Sequence, residues 1–170
     1  MISAHLNGSK ISSNEKEAFM LYDKSSFGEK ENGKIVYSGI EAVYLLEQGK
    51  MSVFMGKKEL DFEMLLKKVR KGDKRAEIKL AVFRDLRKKG YVLKTALKFG
   101  ADFRAYDKGI KPGQDHALWL VQAFKENSQL SWPDFAAKAR IAHSTNKKLM
   151  IGVVDEESDV SYYLVSWSRP

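Results

Sequence analysis

In the first half of the chain, apolar residues recur at helical spacing in short bursts, each closed by a glycine. Ile40, Val43, Tyr44 and Leu46 form one side of a helix. Ser38 opens it as a capping box, with Glu41 three residues on, and it stops near Gly49. Phe62, Leu65, Leu66 and Val69 repeat the pattern after Asp61, whose side chain can cap the helix, and Gly72 ends it. MSVFM (51–55) reads as a strand, as does EAFMLY (17–22), while SSFGEKENG (25–33) reads as a loop.

The polar, charged stretch KKVRKGDKR (67–75) marks a boundary, dividing the chain into domains at 1–73 and 74–170. Asp73 can cap a long helix reaching about Lys89, with Ile78, Ala81, Val82, Phe83 and Leu86 facing inward. After Gly90 the texture changes. YVLKTAL, DFRAYD, HALWLVQAF, KKLMIGVV and VSYYLVSW are rich in β-branched and aromatic residues, as strands are. One helix interrupts them: Ser131 and Asp134 repeat the capping pattern, and Phe135, Ala139 and Ala142 line a face up to about His143. The expected fold is therefore α+β, a small N-terminal α/β domain followed by a strand-rich C-terminal domain. DEESD (155–159) joins the last two strands as a hairpin turn. If Val154 faces Val160, Lys147 falls opposite Trp167, with the Cβ atoms about 5 Å apart. A cation beside an indole is a natural support for an unpaired base, since stacking contributes ~1–3 kcal/mol per base.

Charge adds a class of partner. The net charge is +8, with 30 Lys and Arg against 22 Asp and Glu, which favours phosphate-rich partners or anionic membranes over neutral ones. The chain has no cysteine, which rules out disulfides, zinc–thiolate sites and thiol catalysis and fits a reducing cytoplasm. No apolar run approaches the ~20 residues needed to cross a bilayer. The first residues, MISAHLNGSKISSNEKEAF, lack the apolar core of a signal peptide. A cytoplasmic protein with no membrane partner is the expectation.

Three side chains of the C-terminal half could together cut RNA without a metal or other cofactor. Tyr106 (in FGADFRAYDKG) offers a base, His116 (in QDHALWLVQ) an acid, and Lys147 (in ARIAHSTNKKLMIGVV) a fixed positive charge. RNA carries its own nucleophile, the 2′-OH. Its cleavage needs only a base for that hydroxyl, an acid for the leaving 5′-oxygen and charge on the transition state. Histidine titrates near neutrality. Tyrosine needs nearby cations such as Lys108 to act as a base. Singly, each residue has a plainer explanation: a rim tyrosine, a turn histidine, one lysine beside another. The acidic DEESD run is likewise explained by a solvated hairpin tip. Its spacing is not that of a calcium loop, and its sharper reading is electrostatic docking into a basic cleft of another subunit.

Taken in order, LRKKGYVLKTALKFGADFRAYDKG, HALWLVQ, ARIAHSTNKKL and VVDEESDVSYYLVSW resemble the archaeal tRNA-splicing endonucleases. SGIEAVYLLEQGKMSVF and ELDFEMLLKKVRK follow the same family more loosely. The resemblance implies a nuclease-like C-terminal domain, with a mixed sheet flanked by helices. It implies excision of introns from precursor tRNA at bulge-helix-bulge elements, leaving a 2′,3′-cyclic phosphate and a 5′-hydroxyl. It assigns Tyr106 as general base, His116 as general acid and Lys147, in preference to Lys148, as stabiliser of the transition state. It matches Arg140 and Trp167 to the pair that clamps a bulge base, serving the active site of an opposite subunit. It implies a homo-tetramer or hetero-tetramer, with C-terminal strands pairing within dimers and Asp155, Glu156, Glu157 and Asp159 docking between them. Asn146 departs from the pattern, since many relatives carry Arg there. The competing readings are a non-catalytic RNA-binding or scaffolding subunit of the same assembly, a metal-dependent DNA nuclease, and a basic structural RNA-binder.

Overall fold

The computed structural model describes residues 1–170. It divides into two compact units, Met1–Leu80 and Ala81–Pro170.

The first unit is built on a six-stranded sheet. In chain order its elements are β1 (Ile2–Asn7), β2 (Lys10–Ser13), α1 (Lys16–Ser25), β3 (Glu29–Glu31), β4 (Lys34–Tyr37), α2 (Gly39–Glu47), β5 (Met51–Met55), β6 (Lys58–Leu60) and α3 (Phe62–Gly72). The strand order is β3-β4-β2-β1-β5-β6, antiparallel except for the parallel pair β1–β5. Ile11, Ile35, Val43, Leu45, Val53 and Leu65 form its driest core.

Two expectations fail here. EAFMLY is part of a helix, α1, and residues 25–33 contain the short strand β3. The six-residue apolar run fits either period. The helix wins because Ala18, Leu21, Tyr22 and Ser25 fall on one inward side and the Ser3 N–H anchors its N-cap residue, Glu15, at 2.7 Å. Strands β1, β2 and β4 are short and polar on one face, so they leave little signal along the chain.

The capping box of α2 is present, and Glu41 does more than cap. Its buried carboxylate accepts from the Ser38 N–H and Oγ and from the Gly28 N–H, each at 3.0 Å. Gly28 sits at φ +72°, where a Cβ would lie 2.4 Å from the Ile35 side chain and 2.9 Å from the Val36 carbonyl, so only glycine fits. Asp61 caps α3 by accepting from the Met64 N–H at 2.8 Å.

The long helix α4 (Ala76–Lys88) carries the division between units. Beyond it come β7 (Val92–Ala96), a 3₁₀ turn (Leu97–Phe99), β8 (Ala101–Tyr106), β9 (Trp119–Lys125), α5 (Trp132–Ser144), β10 (Lys148–Val154) and β11 (Val160–Val165). The sheet order is β11-β10-β9-β8-β7. Only β9–β10 is parallel, with α5 as the crossover. The sheet is thus mixed and the fold α+β. Phe83 of α4 packs on Phe103 of β8, with ring centroids 5.6 Å apart. Leu120 and Leu149 face each other across the parallel pair, both buried, and each contributes about 1.5–3 kcal/mol. The hydroxyl of Tyr162 on β11 donates to Asp85 of α4 at 2.7 Å, tying the edge strand to the helix.

Candidate active site

The three candidate catalytic residues arise along one edge of the C-terminal sheet. Strand β8 runs antiparallel to β9 and β10 runs parallel to it. The end of β8 therefore lies beside the starts of β9 and β10. Ala105 pairs with Trp119, and Trp119 with Lys148. The Leu118 N–H donates to the Ala105 carbonyl and the Lys148 N–H to the Leu118 carbonyl, both at 2.9 Å. Tyr106 follows Ala105, Lys147 precedes Lys148, and His116 lies on the segment entering β9 between them. Neighbouring strands are about 4.8 Å apart, so the backbone positions of Tyr106 and Lys147 are roughly two spacings, ~10 Å, apart.

Each is held differently. Tyr106 is buried, 5% exposed, and pairs with Val92 of β7. His116 is exposed on the connection 107–118, where its N–H donates to the Asp115 carboxylate at 2.7 Å. The Lys108 ammonium, expected beside Tyr106, lies over the Tyr91 ring, 5.4 Å from its centroid.

Lys147 is fixed by the end of α5. Asn146 stands in the left-handed region, φ 56°. Its N–H donates to the His143 carbonyl at 3.0 Å, and the Lys147 N–H donates to the Ala142 carbonyl at 2.8 Å. This is the Schellman pattern, in which a left-handed residue closes the helix and the next residue reaches back to it. Asparagine tolerates that conformation better than most residues, so the departure at 146 has a structural use. The Lys147 Nζ lies 5.7 Å from the centroid of the Phe99 ring and 3.5 Å from the Thr145 carbonyl.

Arg140 is exposed on α5, and Trp167 is 40% exposed beyond β11. The hairpin register has the expected form, with Val154 opposite Val160 and Leu149 opposite Val165. The ladder stops there, short of Lys147 and Trp167. The Trp167 ring rests on His143 instead, with centroids 4.5 Å apart. Along the chain His143 reads only as the end of a helical face. Its aromatic use is visible only from its spatial neighbour.

The acidic turn is divided in role. The Asp155 carboxylate accepts from the Glu157 and Asp159 N–H groups, both at 2.9 Å, and so shapes the turn. Glu156, Glu157 and Asp159 are exposed. No group of three or more His, Cys, Asp or Glu side chains is placed to hold a metal ion, and no helix is long and apolar enough to cross a membrane.

Comparison with known proteins shows the family to which the chain belongs. Residues 76–162 match the family model of the tRNA intron endonuclease catalytic C-terminal domain, and residues 2–66 match that of its N-terminal domain. The tRNA-splicing endonuclease of Thermococcus onnurineus is 44% identical over 169 residues, covering 99% of this chain and 97% of that protein. The enzyme of the same name from Methanothermobacter thermautotrophicus is 39% identical over 150 residues, covering 88% and 87%. That of Nanoarchaeum equitans is 41% identical over 137 residues, covering 77% and 88%. With both domain models matched and near full-length identity to such relatives, this chain belongs to the tRNA intron endonuclease family, its catalytic domain included.

Proposed function

We propose that this chain excises introns from precursor tRNA at bulge-helix-bulge sites by metal-independent cleavage, with no cofactor. The 2′-OH at the cut site attacks the adjacent phosphorus while Tyr106, as its phenolate, takes its proton. The O2′–P bond forms as the P–O5′ bond breaks, His116 protonates the departing 5′-oxygen, and Lys147 balances charge on the phosphoryl oxygens. The products are a 2′,3′-cyclic phosphate and a 5′-hydroxyl.

The observation that supports this most is the common sheet edge from which Tyr106, His116 and Lys147 arise, on a chain of the tRNA intron endonuclease family. Arg140 and Trp167 hold a bulge base, serving a partner subunit's cut. Four subunits, identical or of two kinds, assemble in the cytoplasm. Glu156, Glu157 and Asp159 dock between dimers on a turn that Asp155 shapes. The catalytic domain runs from residue 74.

The test is to purify the chain, measure its mass in solution, and incubate it with an intron-containing precursor tRNA in excess EDTA. Cleavage to cyclic-phosphate ends is expected, and His116→Ala should abolish cleavage while sparing RNA binding. Loss of activity in EDTA, cleavage of a substrate with a 2′-deoxy residue at the cut, or undiminished cleavage by His116→Ala would overturn the mechanism.

A further inference from the structure

Residues 67–75 hold six cations, Lys67, Lys68, Arg70, Lys71, Lys74 and Arg75, against one acid, Asp73. The sequence explains the run as a boundary, and part of it serves structure. Asp73 pairs with Lys79 at 2.6 Å and receives the Arg75 N–H at 2.9 Å, which shapes the turn between α3 and α4. Arg70 pairs with Glu77 at 3.0 Å. These bonds occupy Asp73 and Glu77. Lys67, Lys71 and Lys74 remain without an ion pair, and all three are exposed.

Their placement follows from the period of α3. Leu65 and Leu66 are buried and Val69 half-buried, so the opposite side of the helix faces water. Lys67 and Lys71 are one turn apart on that side, and Lys74 continues the row into the following turn. Together they border an open groove of about 660 Å³, with Glu63 and Met64 also in its wall. A row from 67 to 74 spans on the order of 10 Å at the helical rise. Favourable placement of cations at a helix C-terminus explains Arg70 and Lys71 within the last turn. It does not explain a continuing row of lysines that make no ion pair.

We propose that Lys67, Lys71 and Lys74 form a second RNA-binding surface, in the N-terminal unit, gripping the phosphate backbone of the precursor tRNA. Lysine is a compact charge on a flexible stem and suits phosphate without reading sequence. An extended row fits successive phosphates of a strand. The acidic hairpin turn of a second copy is the other anionic candidate, but it concentrates its carboxylates in one tight turn. This inference rests on the proposed precursor-tRNA substrate.

The experiment compares His116→Ala with His116→Ala carrying Lys67→Glu, Lys71→Glu and Lys74→Glu, so that binding is read without cleavage. Affinity for an intron-containing precursor tRNA is measured between 50 and 200 mM salt, with sedimentation and melting temperature on the same samples. The expected result is a tenfold or greater loss of affinity at low salt. The slope of log affinity against log salt should fall by about 2 to 3, roughly 0.7–0.9 for each phosphate no longer neutralised. Arginine at the same three positions should retain binding. Unchanged affinity and slope would overturn the proposal. So would an altered sedimentation coefficient with RNA binding intact per assembled particle, which would assign the row to subunit docking. If the His116→Ala parent binds no precursor tRNA, the substrate reading fails and this surface fails with it.

Discussion

The indole of Trp167 lies against the imidazole of His143, with centroids 4.5 Å apart and 39° between the ring planes. His143 and Arg140 are three residues apart on α5, neighbours on a helix surface. The histidine on which the indole rests is thus a helix-surface neighbour of the arginine proposed to act with it. Replacing Trp167 by Ala should weaken precursor-tRNA binding about 10- to 100-fold, the equivalent of losing one stacked base. Phe should keep most of it, and His143→Ala should give a smaller loss. Filter binding in a His116→Ala background reads this directly, and unchanged affinity of Trp167→Ala would remove the indole from the RNA-binding surface.

Lys147 and Lys148 are adjacent but differently held. The backbone of Lys147 is locked by the Schellman bond to Ala142, whereas Lys148 begins β10 with its side chain exposed. Lys147→Ala should lower the single-turnover cleavage rate by about 10²–10³, as loss of one transition-state donor does elsewhere. Lys148→Ala should change it less than about threefold. Equal effects would mean that the lysine assignment is wrong.

Asn146 sits at φ 56°, a region costly for β-branched residues. Asn146→Val should destabilise the protein by roughly 1–3 kcal/mol in urea unfolding, and should slow cleavage because it disturbs the frame that carries Lys147. Asn146→Gly should be neutral or slightly stabilising. A fully stable valine variant would refute the capping role.

Asp73 titrates below its ordinary range. Burial pushes its carboxyl up, but the hydrogen bond from Lys79, the Arg75 N–H and the charges of both residues outweigh burial. Because the folded state lowers this pKa, the ionised form stabilises the fold above the unfolded value of about 3.9, and that stability is lost as pH falls through the folded value. Asn can still accept the Arg75 N–H, so Asp73→Asn isolates the charge. It should cost up to about 1 kcal/mol at pH 7, as expected for a partly exposed pair. The difference should shrink as pH falls below about 4. Urea melts at pH 7 and pH 3 test this, and a pH-independent difference would contradict it.

In the acidic turn, shape and charge are separable. Asp155→Ala removes acceptance from two N–H groups and should destabilise the hairpin by about 1–2 kcal/mol. Glu157→Lys with Asp159→Lys should leave the fold intact and split assemblies into smaller species by analytical ultracentrifugation. An unaltered sedimentation profile would end the docking proposal.

Much of this is legible along the chain because its causes are local. The capping residues Ser38, Asp61 and Ser131 start helices through bonds to residues three positions on, and such bonds are written in the spacing. The hairpin register follows from one turn, so Val154 opposite Val160 can be counted out from the sequence. What fails depends on distant partners. EAFMLY fits a strand or a helix until β1 supplies the Ser3 N–H that anchors Glu15. Counting places Trp167 opposite Lys147, but the ladder ends at Val165 and the ring is taken by His143 from α5. Tyr106, His116 and Lys147 stand in the sequence as residue types of suitable chemistry and as members of family motifs. Only the strand order β8-β9-β10, one antiparallel pairing beside one parallel, brings their backbone positions to the same edge. That order is set by long-range hydrogen bonding and burial, which no local spacing encodes.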